Sequence, residues 1–455
     1  MKTAKAAKTR PAKAKPAKAK PAKSMPKPLQ QVRLLSVDLE IGGAFHPVGR
    51  LALQDRRILF EYAPAFIERG LQISPFHLPL KKEVVRGDPA IFDGLMGVFY
   101  DSLPDGWGRL LLDRRLAQLG ILPGSLTPLD RLAYVGERGA GALRYRPEHE
   151  RKPGTATIDL DALAEEARSV LEGESAEVLD TLVDLGGASG GARPKILVAS
   201  SADRKRLVAG SEALRSGYSH WLVKFHSSTD PSDVGAIEHA YSQMARAAGI
   251  DMTPTHLFPA KSGAGYFGTE RFDRRGNARV HVHSACGLLN ADFRIPSMGY
   301  VSLLKATRAL TRNQLEVDRM FRRMVFNVFA RNRDDHTKNH AFILEEDGTW
   351  HSSPAFDLTF SSGPSGEHAL DVAGEGLAPG VEHIANVARL SGVHTDVVRT
   401  CVDQVKDAVD RWPVHASASG VSKKTSGVID VQLNGPRRPL RPPTVTTKRN
   451  VAQRR

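Results

Sequence analysis

The chain has 455 residues, 41% of them hydrophobic, with a formal net charge of +14 and two cysteines. That length suits two or three domains, and no apolar run is long enough to span a membrane. The cysteines, Cys286 and Cys401, lie far apart in no ligand spacing. This excludes a disulfide framework or zinc knuckle and predicts a cytoplasmic protein.

The positive charge sits at the ends. Residues 1–28 carry ten Lys/Arg and no acid, and residues 417–455 carry nine against one, Asp430. The two ends exceed the total between them, so residues 29–416 are left at about −4. The repeat "PAKAKPAKAKPAK" cannot bury a core and is expected to be a disordered basic tail, without the apolar segment of a secretory signal. Such a tail suits non-specific, salt-sensitive contact with nucleic acid phosphates, and equally a solvated extension. Residues 417–455, with "GPRRPLRPP", are expected to form a second disordered basic tail.

From residue 29 to 147 the pattern predicts a small α+β domain. Strand-like runs ("RLLSVDLEI", "GRLALQD", "RILFEYAP") precede a helical segment broken at Pro104-Asp105-Gly106. Residues 148–184 read as a linker followed by a helix, "IDLDALAEEARSVLEG", with apolar residues at helical spacing. Residues 185–285 hold a glycine-rich turn, "GGASGGARPK", the strands "ILVAS" and "SHWLVKFH", and a helix over 234–250. Residues 286–416 read as mostly helical, interrupted by the polar stretch "NRDDHTKNHAF" and a hairpin around Asp347-Gly348.

That polar stretch follows the amphipathic helix "DRMFRRMVFNVFA", so it is expected to be held against a core. Asp334 and Asn339 stand five positions apart, the D-x-x-x-x-N spacing of a kinase catalytic loop. The aspartate can accept a hydroxyl proton while the asparagine holds a metal against phosphates. The hairpin then delivers "SPAFDL", with Asp357 where a second metal-binding aspartate would arrive. Asp and Asn also cap helices and turn loops, so each residue alone has an ordinary structural reading. His336 and His340, four apart, keep a metal-dependent hydrolase open, although no HExxH pattern is present.

Successive glycines in "GGASGGARPK" let backbone N–H groups approach phosphates, although the loop lacks a Walker ending. Lys224, inside an apolar strand, must find a partner or lose its charge, and Glu238 on the next helix is the candidate.

In its order of motifs the sequence resembles the HipA family of serine/threonine kinases, toxins of type II toxin–antitoxin systems. The resemblance spans about residues 32–400 and rests on "NRDDHTKN", "SPAFDL", "GGARPK", "ERFDR" and "SLPDGWGR". It implies an α+β, two-lobed protein-kinase-like fold, with a strand-rich N-terminal subdomain and a mostly helical C-terminal lobe. It implies ATP and Mg2+ as cofactors, with Asp334, His336 and Lys338 as catalytic groups and Asn339 and Asp357 as metal ligands. ATP would meet Gly190, Gly191, Ala192, Lys195 and Lys224, with the adenine on the backbone from Glu270 to Phe272.

The family's substrate is a protein serine, with aminoacyl-tRNA synthetases as targets, and its partner is a HipB-like antitoxin. No membrane partner is expected. Members often carry an autophosphorylated serine in the glycine loop. The corresponding position is Ala188 here, so either the adjacent Ser189 is the phosphoacceptor or self-inactivation is lost. A small-molecule kinase on the same scaffold, or an inactive nucleic-acid-binding repressor component, are the alternative readings.

Overall fold

The computed structural model describes residues 31–118, 120–148, 158–173, 180–210 and 214–434. Both expected tails thus lie partly or wholly outside the described residues.

The N-terminal region builds an antiparallel five-stranded sheet from β1 (Leu34–Ile41), β2 (Ala44–Gln54), β3 (Arg57–Tyr62), β4 (Val85–Arg86) and β5 (Leu143–Arg146), in the order β4-β3-β2-β1-β5. Alternation fixes its buried face. Leu35, Val37 and Leu39 point inward with Val48, Leu51 and Phe60, all fully buried. The helical segment is interrupted as expected. One short helix ends at Tyr100, and the next, Gly106–Gln118, begins after the proline.

A second antiparallel sheet, ordered β7-β6-β8-β10-β9, comprises β6 (Lys195–Ser201), β7 (Leu207–Ala209), β8 (Tyr218–Lys224), β9 (Thr255–Phe258) and β10 (Tyr266–Glu270). The helix Val234–Ala247 follows β8. A two-residue ribbon, β11 (Arg274–Arg275) with β12 (Ala278–Arg279), leads into β13 (His281–Ser284). β13 pairs with the predicted hairpin, β14 (Ala341–Leu344) and β15 (Trp350–Ser352), which joins the two lobes by hydrogen bonds. The C-terminal lobe is helical, built around Tyr300–Thr311, Gln314–Phe329, Val381–Ser391 and Thr395–Asp410.

Two sequence expectations need correction. The 148–184 stretch is more than a linker and a helix. Its helices, Leu160–Glu172 and Asp180–Gly186, bury Leu163, Ala167, Val170, Leu182 and Val183 in one core with Ile196, Trp221 and Val223 of the second sheet. Trp107 and Leu111 of the N-terminal region belong to that same core. Burying side chains of this size stabilises by roughly 1.5–3 kcal/mol each.

Of the C-terminal tail expected from residue 417, residues 417–434 are folded, and the remainder lies outside the described residues. Helices Trp412–Ala418 and Lys423–Asn434 continue the lobe, because Val421, Ile429 and Leu433 bury against it. The Trp412 indole N–H donates to the Ser426 carbonyl at 3.1 Å, and Asp233 accepts the Ser422 N–H at 2.9 Å. The basic composition of residues 417–455 hid three apolar positions. Among the described residues, no helix is long and apolar enough to cross a membrane.

Candidate active site

The helix Gln314–Phe329 is capped by the Asn313 side chain and buries Met320, Phe321, Met324, Val325 and Phe326. It ends directly before the polar stretch, which forms a loop with one turn of 3-10 helix, Thr337–Asn339. The two adjacent aspartates of that loop diverge. Asp335 is buried and accepts the Tyr300 hydroxyl at 2.6 Å, the Ala369 N–H at 2.8 Å and a bond from His368 Nδ1 at 2.9 Å. Tyr300 in turn accepts from Asn327, whose carbonyl oxygen takes the Asn332 amide, both at 2.9 Å. Asp335 therefore pins the loop into the C-terminal lobe.

Asp334 keeps 54% of its side chain exposed, with His336 Nε2 at 3.7 Å. Partial burial raises the Asp334 carboxyl above the usual range, His336 opposes this, and the charge of nearby Asp357 adds to it. A raised pKa gives the carboxylate more basicity toward a hydroxyl proton. Asn339 donates from Nδ2 to the Asp334 carbonyl at 2.7 Å, which braces the loop from its far end.

Lys224 is 10% exposed and resolves its burial with two carboxylates, Glu238 Oε1 and Asp357 Oδ1, each at 2.5 Å. The expected Lys224–Glu238 pair is therefore present, and Asp357 closes a triad across the cleft. Burial opposes the Lys224 charge, but Asp357 and Glu238 outweigh it and hold its pKa above the ordinary value. Burial likewise opposes ionisation of Asp357, and Lys224 and Lys195 reverse it, keeping that carboxyl well below its usual range. Asp357 sits at φ +55°, a left-handed conformation that aspartate tolerates better than most residues.

The glycine loop approaches from the other lobe. Gly190 and Ala192 are exposed at its tip, while Lys195 is buried at the start of β6. Burial and the nearby Lys224 charge pull the Lys195 pKa down to about 8. Ser189, the candidate phosphoacceptor, is buried with its hydroxyl donating to the Gly186 carbonyl at 2.6 Å. In this conformation it faces no cleft, so that role requires the loop to leave its seat. Glu270 ends β10 opposite Trp221, and the Phe272 ring packs at a tilt against Phe356, with centroids 5.3 Å apart. The N–H groups of Glu270 and Arg271 are already bonded to the carbonyls of Pro254 and His220, so they do not face a ligand.

Lys338, expected among the catalytic groups, is committed elsewhere. Its ammonium meets Asp105 of the N-terminal region at 2.5 Å and lies 4.9 Å from the ring centroids of both Tyr100 and Phe293. Nothing in the spacing of "SLPDGWGR" announced this contact.

Asn339 Oδ1 and Asp357 Oδ2 have no hydrogen-bond partner among the described residues, and hard oxygen donors of this kind fit Mg2+. The two-histidine alternative does not assemble. His340 is buried and reaches the Asp335 carbonyl at 3.3 Å, whereas the His336 ring packs on Phe293. Among the described residues no group of three His, Cys, Asp or Glu is placed to hold a metal.

A lysine–glutamate pair on a five-stranded lobe, set against an Asp-x4-Asn loop and a hairpin-borne aspartate, defines a two-lobed, protein-kinase-like α+β fold. The chain belongs to the HipA family: the HipA N-terminal domain matches residues 40–146 and the HipA-like C-terminal domain matches residues 187–412. Its fold is similar to that of HipA from Shewanella oneidensis MR-1, solved with HipB and operator DNA of that toxin–antitoxin system. The two share a TM-score of 0.62 at 16% identity, over 87% of this chain and 94% of that chain. The Helicobacter pylori proinflammatory kinase CtkA aligns over 47% of this chain and 90% of that one, at 12% identity and a TM-score of 0.31, too low to argue from. No curated protein matches the chain.

Proposed function

We propose that the protein is a Mg2+–ATP-dependent serine/threonine protein kinase of the HipA type, the toxin of a type II toxin–antitoxin system. The observation that supports this best is the convergence of Lys224, Glu238, Asp357, Asp334 and Asn339, from four separate segments, on one cleft. Its substrate is a protein serine, on an aminoacyl-tRNA synthetase by family resemblance, and its partner is a HipB-like antitoxin in the cytoplasm.

Phosphoryl transfer needs positioning and charge stabilisation more than covalent chemistry from the protein. Asp334 orients the attacking hydroxyl and accepts its proton. His336, 3.7 Å from that carboxylate, tunes it and faces the transferred group. Lys224 is held by Glu238 so that its charge meets the phosphates, and Lys195 and the glycine loop enclose them from the other side. Mg2+, when bound by Asn339 and Asp357, would neutralise charge between the phosphates.

The test is transfer of labelled γ-phosphate from ATP in lysates or to the chain itself. Asp334→Asn is expected to abolish labelling while the thermal unfolding midpoint stays unchanged. Undiminished labelling by that variant overturns the assignment. Phosphoproteomics after induction of wild type and variant then identifies the substrate.

A further inference from the structure

The mechanism above leaves the motif "SLPDGWGR" unused, yet this segment reaches further into the site than any other part of the N-terminal region. Asp105 Oδ1 accepts the N–H of Gly191 in the glycine loop, and Oδ2 accepts the Lys338 ammonium of the catalytic loop at 2.5 Å. The Trp107 N–H donates back to the Gly191 carbonyl at 2.9 Å, and the Trp107 indole N–H donates to the Lys195 carbonyl at 3.0 Å. The glycine-loop backbone is therefore gripped at consecutive turns. Gly106 and Gly108 make the approach possible: a Cβ at Gly108 would lie 2.2 Å from the Ser189 carbonyl, and one at Gly106 would lie 2.5 Å from that of Gly191. Trp107 is 1% exposed, anchored in the core of the ATP-side lobe.

The other limb is equally fixed. Lys338 lies within the Thr337–Asn339 turn, between His336 and Asn339, and Phe293 packs against both Lys338 and His336. Burial opposes ionisation of Asp105, but Lys338, the Gly191 N–H and the charge of Lys195 outweigh it and keep the carboxyl below its ordinary range. One side chain, 19% exposed, binds a loop from each lobe.

Building on the kinase reading, we infer that Asp105 is a positioning residue for phosphoryl transfer: its carboxylate fixes the glycine loop and the catalytic loop relative to each other, making the N-terminal domain an integral part of the phosphotransfer site. The physical basis is that the two loops come from lobes able to hinge, whereas in-line transfer tolerates little misplacement. Charge-assisted bonds to a backbone N–H and to an ammonium from one rigid carboxylate hold that distance better than packing alone.

The experiment uses the full chain with MgATP, reading ATP hydrolysis and autophosphorylation for kcat and KM, and unfolding for stability. Asp105→Asn keeps an oxygen for the Gly191 N–H and removes the charge facing Lys338. Lys338→Met removes the same limb from the opposite side. Each is expected to lower kcat by roughly 10- to 100-fold, with a smaller rise in KM for ATP. The double variant should be no worse than either single one, because both cut one link. Asp105→Ala, which cuts both limbs, should add a further loss of ATP affinity; if it does not fold, the isosteric Asn variant still decides. Wild-type kcat and KM in folded Asp105→Asn, with or without a lower unfolding midpoint, would make Asp105 a brace only and overturn the inference while leaving the kinase reading intact. A wild-type protein that neither binds nor turns over ATP overturns both.

Discussion

The two loops that meet at the cleft are held in opposite ways. The catalytic loop, apart from the Lys338–Asp105 pair, is held from within its own lobe, by a buried chain running from Asn332 through Asn327 and Tyr300 to Asp335 and His368. The glycine loop is held from outside, by Asp105 and Trp107 of a region that precedes it by more than 80 residues. Asp334 therefore owes its geometry to side chains nearby in the fold, whereas Gly191 and Lys195 owe theirs to a neighbouring domain. A site assembled this way can lose its nucleotide side while its catalytic loop stays intact.

Adjacent residues sharpen the contrast most. Asp334→Asn should reduce phosphoryl transfer by about 10²- to 10⁴-fold, with no change in the unfolding curve, since its side chain anchors nothing in the core. Asp335→Asn should do the reverse. Replacing a buried carboxylate that serves three donors is expected to cost roughly 3–5 kcal/mol of stability, read as a lower midpoint in urea. The Asp335 carboxyl is held below its ordinary value: burial opposes this, but bonds from His368 and Tyr300 prevail. A depressed carboxylate pKa gives stability that is full above the unfolded value and lost as pH falls through the folded one. Asp335→Asn should therefore flatten the acid limb of stability against pH, and an unaltered limb would count against the network.

On the glycine-loop side, Gly108→Ala places a Cβ against the Ser189 carbonyl and should cost about 1–3 kcal/mol, expressed as weaker MgATP binding with an intact catalytic loop. Calorimetry showing wild-type affinity would mean the loop is not held from outside. The smallest effect concerns Lys195. With its pKa near 8 in the free protein, phosphates that raise it should draw in up to about half a proton per ATP at pH 8 and almost none at pH 6. Titrations in buffers of different ionisation enthalpy measure that uptake, and equal heats at pH 8 would remove Lys195 from the phosphate site.

Much of the cleft was legible because its chemistry is local in sequence. The five-residue step from Asp334 to Asn339, the lysine in an otherwise apolar strand, and the hairpin that delivers Asp357 are all short-range signals. The Glu238 partner followed from burial, since a lysine there demands a carboxylate. The contacts of Lys338 and Ser189 were not legible for a common reason: residue type and proximity to a motif do not say which way a side chain is spent. Lys338 is spent on Asp105, and Ser189 on the Gly186 carbonyl.

The sequence by itself determined several strands of each sheet, the mostly helical C-terminal lobe and which groups were candidates for the cleft, because periods of 2 and 3.6 and a few fixed spacings encode burial and local geometry. Tertiary structure alone decided that Asp105 meets Lys338 across 233 positions, that Asp335 faces the core while Asp334 faces the cleft, and that residues 423–434 fold as a helix. Hydrophobic patterning says that a face is buried but not against what. The partner of a buried charge is chosen by packing between distant segments, and that choice couples the N-terminal domain to the site.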